Sequence, residues 1–256
     1  MKCILSLLVY LLIFSPTFAC NVSSDKLALA NYQWLTEDYP PYNFANESGH
    51  AIGIFSDVLM LVYQELGIKY NRENITFTPW ARLYHAIQNE QLSAGFSMAN
   101  TPEREALFKL VPLPIVAKTS IMVLKERKKQ LLKEDVNDLV IAVVREDVGQ
   151  LRLKKANISA KQIETTSAVS MLKMLMHKRV DAVAYAEDVA YFQYKKLELT
   201  RGTLVPIYVL EDKSLASYAF HKSTPKCITD LFAKTINQLH QRGELSKIKN
   251  KYIQNE

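Results

Sequence analysis

The stretch SAGFSMANTPERE, residues 93–105, joins a short apolar run to a Thr-Pro-Glu-Arg turn and carries the side chains best suited to chemistry. Arg104 offers a planar fork of donors that matches a carboxylate and stays charged when desolvated. Ser97, late in the apolar run, adds a hydroxyl donor. The same spacing also suits a surface ion pair between Arg104 and Glu103 or Glu105, worth under about 1 kcal/mol. Spacing alone leaves both readings open. Catalysis has no comparable signal. His50, His85, His177, His221 and His240 form no HxxH or HExxH pair, and there is no G-x-S-x-G elbow. The seven glycines include no phosphate-cradling loop. Adjacent carboxylates at Glu37–Asp38, Glu146–Asp147 and Glu187–Asp188 are expected to be solvated surface. No cofactor and no metal are expected.

A strand end that displays Ser97 and Arg104 needs a scaffold, and the hydrophobic periodicity supplies one. LALANYQWL reads as a first strand ended by the turn EDYPPYNF, and GIFSDVLMLVYQELGI as a helix with Gly67 as its C-cap. NITFTP, SAGFS, TSIMVLK, LVIAVV and DAVAY read as strands, while WARLYHAIQNE, EDVGQLRLKKAN, SAVSMLKMLMHKR and EDVAYFQYKKL read as helices. LVPIYVL and LASYAF are two further strands, before two closing helices parted at Gly243. The alternation predicts α/β architecture with largely parallel sheets. AIQNEQLSAGF and LMHKRVDAVAY share one pattern, with Leu92 and Val180 at matching places 88 residues apart. Such an echo suits two lobes built on one βαβ plan, with a cleft at the strand ends.

The 256 residues are 48% hydrophobic and 23% charged, which suits a globular chain of two lobes of roughly 100 residues each. Lys2, the run CILSLLVYLLIF and the small Ala19 read as a secretory signal peptide over residues 1–19. The run is too short for a spanning helix. The net charge of +6 comes from scattered lysines, and export argues against nucleic acid as a partner. Beyond Cys3 only Cys20 and Cys227 remain. A disulfide between them, a lipid on Cys20 after the poor lipobox TFAC, and two free thiols all fit, the disulfide being expected.

YPPYNF, GIFSDVLMLVYQELGI, PWARL, TPERE after a strand, RVDAVAY and the ending AFHKSTP…LHQRGELSKIKNKY occur in a telling order. Together they resemble the extracellular solute-binding proteins of family 3, the polar amino-acid type of ABC-transporter receptor, over nearly the whole mature chain. The resemblance implies a two-lobed periplasmic binding protein fold of type II, α/β, with a ligand cleft and two crossing hinge strands. Lobe one would take residues 26–118 and 214–256, lobe two residues 119–213. It implies a periplasmic monomer, not an enzyme, that closes over a small carboxylate-bearing and amino-acid-like ligand and delivers it to a membrane permease. A sensory receptor and a periplasmic dehydratase are the rivals on this fold, the latter needing a general acid such as Glu187.

Within that cleft Ser97 and Arg104 would hold a ligand carboxylate, and Arg82 is a second cationic candidate. Trp80, Tyr39 and Tyr42 would form a flat apolar wall. The second lobe departs from the family pattern. Glu146 and Asp147 stand where relatives carry Gly-Thr or Gly-Ser, and Asp147 reads as either a helix cap or a cleft group. Ala186, followed by Glu187, stands where relatives carry an aspartate for the ligand's amino group, and Ala99 replaces a hydroxyl residue. The candidate charges therefore sort by lobe, Arg82 and Arg104 against Asp147 and Glu187, as a dipolar ligand would require.

Overall fold

The computed structural model describes residues 21–197 and 203–253. The expected signal peptide and Cys20 lie outside them. Asn21 caps α1 (Val22–Ala30), its side chain accepting from the Ser23 amide, where the sequence suggested that a strand had begun. Of this helix only Leu29 is buried, so its apolar residues dock a surface helix by one side chain.

The chain continues through β1 (Gln33–Thr36), β2 (Phe44–Ala45), β3 (Ala51–Ile52), α2 (Ile54–Glu65), β4 (Thr76–Phe77), α3 (Trp80–Asn89) and β5 (Ser93–Ala99). Then come α4 (Pro102–Leu107) and β6 (Phe108–Leu124). The second half holds α5 (Lys125–Leu131), β7 (Val140–Val144), α6 (Val148–Lys155), β8 (Lys161–Thr165), α7 (Ala168–Met176) and β9 (Ala182–Ala186). It ends with α8 (Glu187–Lys196), β10 (Leu204–His221), α9 (Lys226–Gln241) and α10 (Glu244–Ile253). The expected Thr-Pro-Glu-Arg turn is thus the short helix α4, with Pro102 at its start and the Thr101 hydroxyl accepting from the Arg104 amide.

Eight strands form one sheet in the order β4-β1-β5-β10-β6-β9-β7-β8. β1 lies parallel to β4 and β5, and β7 lies parallel to β8 and β9. β10 runs antiparallel to β5, and β6 antiparallel to β9. The series β4-β1-β5-β10 therefore recurs as β8-β7-β9-β6, one plan used twice, as the internal echo predicted.

β6 and β10 are the crossing strands. They pair from Phe108 with His221 to Leu124 with Leu204, and their register slips between Glu211 and Ala216 as they pass from one lobe to the other. The sequence reading had found only the TSIMVLK end of β6 and had split β10 into LVPIYVL and LASYAF. Pro112 and Pro114 lie on the part of β6 that has no partner on its far side, because β9 pairs only with Thr119–Met122. A strand edge is where proline is tolerated.

The front core is built around Trp34, which is fully buried against Tyr63, Phe96, Tyr218, Phe220 and Phe232 at ring separations of 5.4–6.3 Å. In the second lobe Ile121, Val123, Ile141, Val143, Leu153 and Ala184 pack together. Gly149 fixes how α6 meets that lobe, since a Cβ there would lie 2.0 Å from the Ala184 carbonyl oxygen. Among the described residues no helix is long and apolar enough to cross a membrane.

Candidate functional site

β1, β7 and β9 run out at their carboxyl ends into Glu37–Asp38, Glu146–Asp147 and Glu187–Asp188. These strand ends are where α/β sheets place ligands. The three carboxylate pairs expected on the solvated surface therefore gather at the seam between the lobes. Asp38 accepts from the Gln193 amide at 3.3 Å across it, and Asp188 accepts from the Tyr42 hydroxyl at 3.1 Å. On the rim, His85 and Glu146 approach to 3.2 Å.

Arg104 lies at the centre of this seam, only 2% exposed. It makes no surface ion pair with its neighbours Glu103 and Glu105. Its guanidinium lies over the Trp80 ring at 5.0 Å and near the Tyr84 ring at 5.8 Å. It donates to the Ala99 carbonyl at 3.3 Å and, across the seam, to the Glu146 carbonyl at 3.2 Å. The Trp80 indole donates to that same carbonyl at 2.9 Å. With a bond to the Tyr84 phenol, these contacts leave two of the five arginine donors for a ligand. Burial lowers the guanidinium's hold on its proton, and Asp147 opposes that effect.

Asp147 is 5% exposed, and its Oδ2 has no hydrogen-bond partner. It occupies the cap position of α6, yet its side chain makes no capping bond. Burial raises its carboxyl above the usual range against the pull of Arg104. Glu37 is raised further, by burial first and then by repulsion from Asp147 and Asp38, with Arg104 acting the other way. Burial and Asp147 also raise the Tyr39 phenol, and burial and Glu37 raise that of Tyr185. The two rings meet edge to face at 5.7 Å across the seam, and Tyr42 stacks on Tyr39 at 5.8 Å.

Ser97 has a left-handed backbone, φ 64°, and its hydroxyl donates to the Asn43 side chain. The proton expected for a ligand carboxylate is thus already engaged, which leaves Ser97 as an acceptor. Tyr39, Tyr42, Ser97, Ala99, Thr119, Val148 and Ala186 border a gap of about 10 Å³, room for a single water. Arg104 and Asp147 also border a larger opening of about 500 Å³ between α3, α4 and α6.

Two candidates stand apart. Arg82 is exposed, because Trp80, Leu83 and Ile87 form the inward face of α3 and leave it on the outer one. Glu187 accepts from the Ser120 hydroxyl and pairs with Lys118 at 3.3 Å, which ties its carboxylate to β6. Glu37, Tyr84 and Tyr185 are the site residues that the sequence did not single out. The only available signals were the place of Glu37 after β1 and the helical spacing of Tyr84 from Trp80. Among the described residues no group of three or more His, Cys, Asp or Glu could hold a metal ion. Cys227 is disulfide-bonded, while its expected partner Cys20 lies outside the described residues.

The sequence pattern of the bacterial extracellular solute-binding proteins, family 3, matches residues 34–255. The arginine-binding extracellular protein ArtP of Bacillus subtilis (strain 168) is 24% identical over 225 residues, 86% of this chain and 84% of ArtP. An ABC uptake transporter substrate-binding protein from Streptococcus pneumoniae, solved with bound histidine, has a TM-score of 0.77 at 14% identity. That match covers 91% of this chain and 96% of the other. A histidine kinase sensor domain with similarity to periplasmic binding proteins has a TM-score of 0.74 at 15% identity, over 87% of this chain and 96% of the domain. At these identities the solved structures share the fold, a two-lobed α/β body with crossing strands. The sequence match carries the rest: the chain belongs to the bacterial extracellular solute-binding proteins of family 3.

Proposed function

We propose that the protein is an exported receptor that shuts over a small amino-acid-like solute and passes it to an ABC-type membrane permease. The observation that carries this reading is Arg104, a buried cation at the lobe seam with donors to spare, within the field of the buried Asp147, whose Oδ2 has no partner. A ligand carboxylate would take the free guanidinium donors, and its ammonium group would take Asp147 and Glu37. That head group matches both signs of charge at once. Trp80 and Tyr39 supply flat walls beside it, as expected from their side-chain chemistry.

The lobes comprise residues 26–118 with 214–256, and residues 119–213, and they turn on β6 and β10. Each lobe brings part of the contact set, so the ligand favours the shut form and shifts the hinge equilibrium. The arginine-binding ArtP and the histidine-bound uptake-transporter protein of Streptococcus pneumoniae support an amino acid as the ligand and transport as its fate. The receptor returns its ligand unchanged.

Thermal unfolding with L-amino acids, amines and amine-free dicarboxylates tests this reading. A true ligand at about 100 times its Kd adds about 2.7 kcal/mol of stability. A response confined to amine-free dicarboxylates, or chemical turnover of the bound compound, would overturn it.

A further inference from the structure

Asp188, Phe192 and Gln193 lie on α8, within an arc of about 140° around its axis, so one side of the helix carries all three. Each meets lobe one between Asp38 and Phe44. The Tyr42 hydroxyl donates to Asp188 at 3.1 Å, and the Phe44 and Phe192 rings lie 5.6 Å apart. The Gln193 amide donates to the Asp38 carboxylate at 3.3 Å and to its carbonyl at 3.4 Å. Gln193 is only 1% exposed.

Both parts of this contact are held ready by their own lobes. Tyr39 and Asn43 exchange backbone hydrogen bonds at 2.7 and 3.1 Å, and the Asn43 side chain donates to the Glu37 carbonyl at 2.8 Å, which fixes the loop that presents Tyr42. Phe44 also packs against Tyr252 of α10, at 6.1 Å. On the other side, the bonds of Glu187 to Ser120 and Lys118 fix the start of α8. Asp38, Phe44, Asp188, Phe192 and Gln193 border neither the opening of about 500 Å³ nor the gap of about 10 Å³. They touch the facing lobe rather than the space for a ligand, so the contacts form as the lobes shut and break as they part.

We propose that Asp188, Phe192 and Gln193 are positioning residues, a latch that draws the lobes together before a ligand arrives and strengthens the binding of every ligand by one common factor. Apparent affinity scales with the fraction of molecules in the binding-competent form, which is why the factor is common. The inference rests on the receptor reading above and adds a share of the affinity that no ligand contact supplies.

Calorimetric titration with the L-amino acids, and small-angle scattering of the ligand-free protein, test it on the wild type, Phe192→Ala, Phe192→Tyr and Gln193→Leu. Phe192 is half-buried, so its truncation should leave the lobes folded. Phe192→Ala should raise Kd about two- to tenfold, by the same factor for each amino acid that binds, and enlarge the radius of gyration. Phe192→Tyr keeps the ring and should stay within about twofold of the wild type. Gln193→Leu keeps the bulk, loses the donor, and should raise every Kd about two- to tenfold. Losses that differ between ligands would make this side of α8 a ligand contact and overturn the inference, as would a radius equal to that of the wild type in both weakened variants. A wild type that binds no L-amino acid, with the radius of Phe192→Ala still enlarged, overturns the receptor reading and leaves the latch standing.

Discussion

Trp80 and Arg104, stacked 5.0 Å apart, donate to one and the same acceptor, the Glu146 carbonyl of the opposite lobe. Glu146 holds that position with a left-handed backbone, φ 60°, which costs a non-glycine residue about 1–2 kcal/mol. This is the position where relatives were expected to carry glycine. Strain of this kind persists where surrounding contacts over-determine it, and two donors from the facing lobe do so here.

Removing the guanidinium should abolish the grip on a ligand carboxylate. Arg104→Ala is expected to cost about 1.5–3 kcal/mol of affinity, the worth of hydrogen bonds to a charged group. That corresponds to roughly a ten- to 150-fold rise in Kd by isothermal titration. Arg104→Lys should not restore binding, because a point charge cannot reproduce the planar fork. Unchanged affinity for an amino acid would remove Arg104 from the site.

Trp80→Phe separates the indole's ring from its donor. The stacking surface remains, but the bond to the Glu146 carbonyl is lost, at about 0.5–1.5 kcal/mol. Because that bond spans the lobes, the loss should fall on closure. Small-angle scattering of the ligand-free variant should show a larger radius of gyration than the wild type. An identical radius, with weaker ligand binding, would place the indole's role in the ligand contact instead.

The Glu37 carboxyl gives the shut form a pH dependence of definite sign. Burial, reinforced by Asp147 and Asp38, raises its pKa in the folded protein. A group raised in this way stabilises the fold fully below the ordinary glutamate pKa of about 4.3, and that contribution is lost as pH rises through the raised value. Acidifying from about pH 7 to about pH 5 should therefore favour the wild type over Glu37→Gln, whose melting temperature should respond less steeply. Parallel melting curves for the two proteins would sink the assignment.

Gly149→Ala should damage the site without touching its chemistry. The new methyl would meet the Ala184 backbone carbonyl at 2.0 Å, and neither partner can swing aside. Overpacking of this kind costs about 1–3 kcal/mol, here with displacement of the start of α6 and of Asp147. Denaturant unfolding would show the loss, and ligand affinity should fall with it. A variant of full stability and affinity would mean that α6 has slack that the structure does not show.

The repeated βαβ plan was legible because strand and helix periods differ, and the echo between Leu92 and Val180 fell just before β5 and β9, equivalent strands of the two halves. α1 was misread because LALANY alternates like a strand, although only Leu29 is buried. β6 was cut short because Pro112 and Pro114 hide an edge that only the sheet order reveals. Arg104 could be picked out by its chemistry and its position after a strand. Glu37 could not, because two carboxylates in a row look the same on a surface as at a strand end. Arg82 shows the converse: two residues apart on a helix point about 200° apart, so sitting beside Trp80 in sequence put it on the other face. Glu187 found Ser120 and Lys118, partners 67 and 69 positions away that local spacing could not indicate.

Neither half of this molecule is a detachable part. β10 neighbours β5 and β6 neighbours β9, yet the two are zipped to each other along their whole length. Severing the polypeptide where they pass between halves would leave each fragment with a torn margin of bare amides and carbonyls. Such a fragment is an adhesive, ready to recruit a strand from any stranger, so dissection should yield aggregates rather than a working miniature.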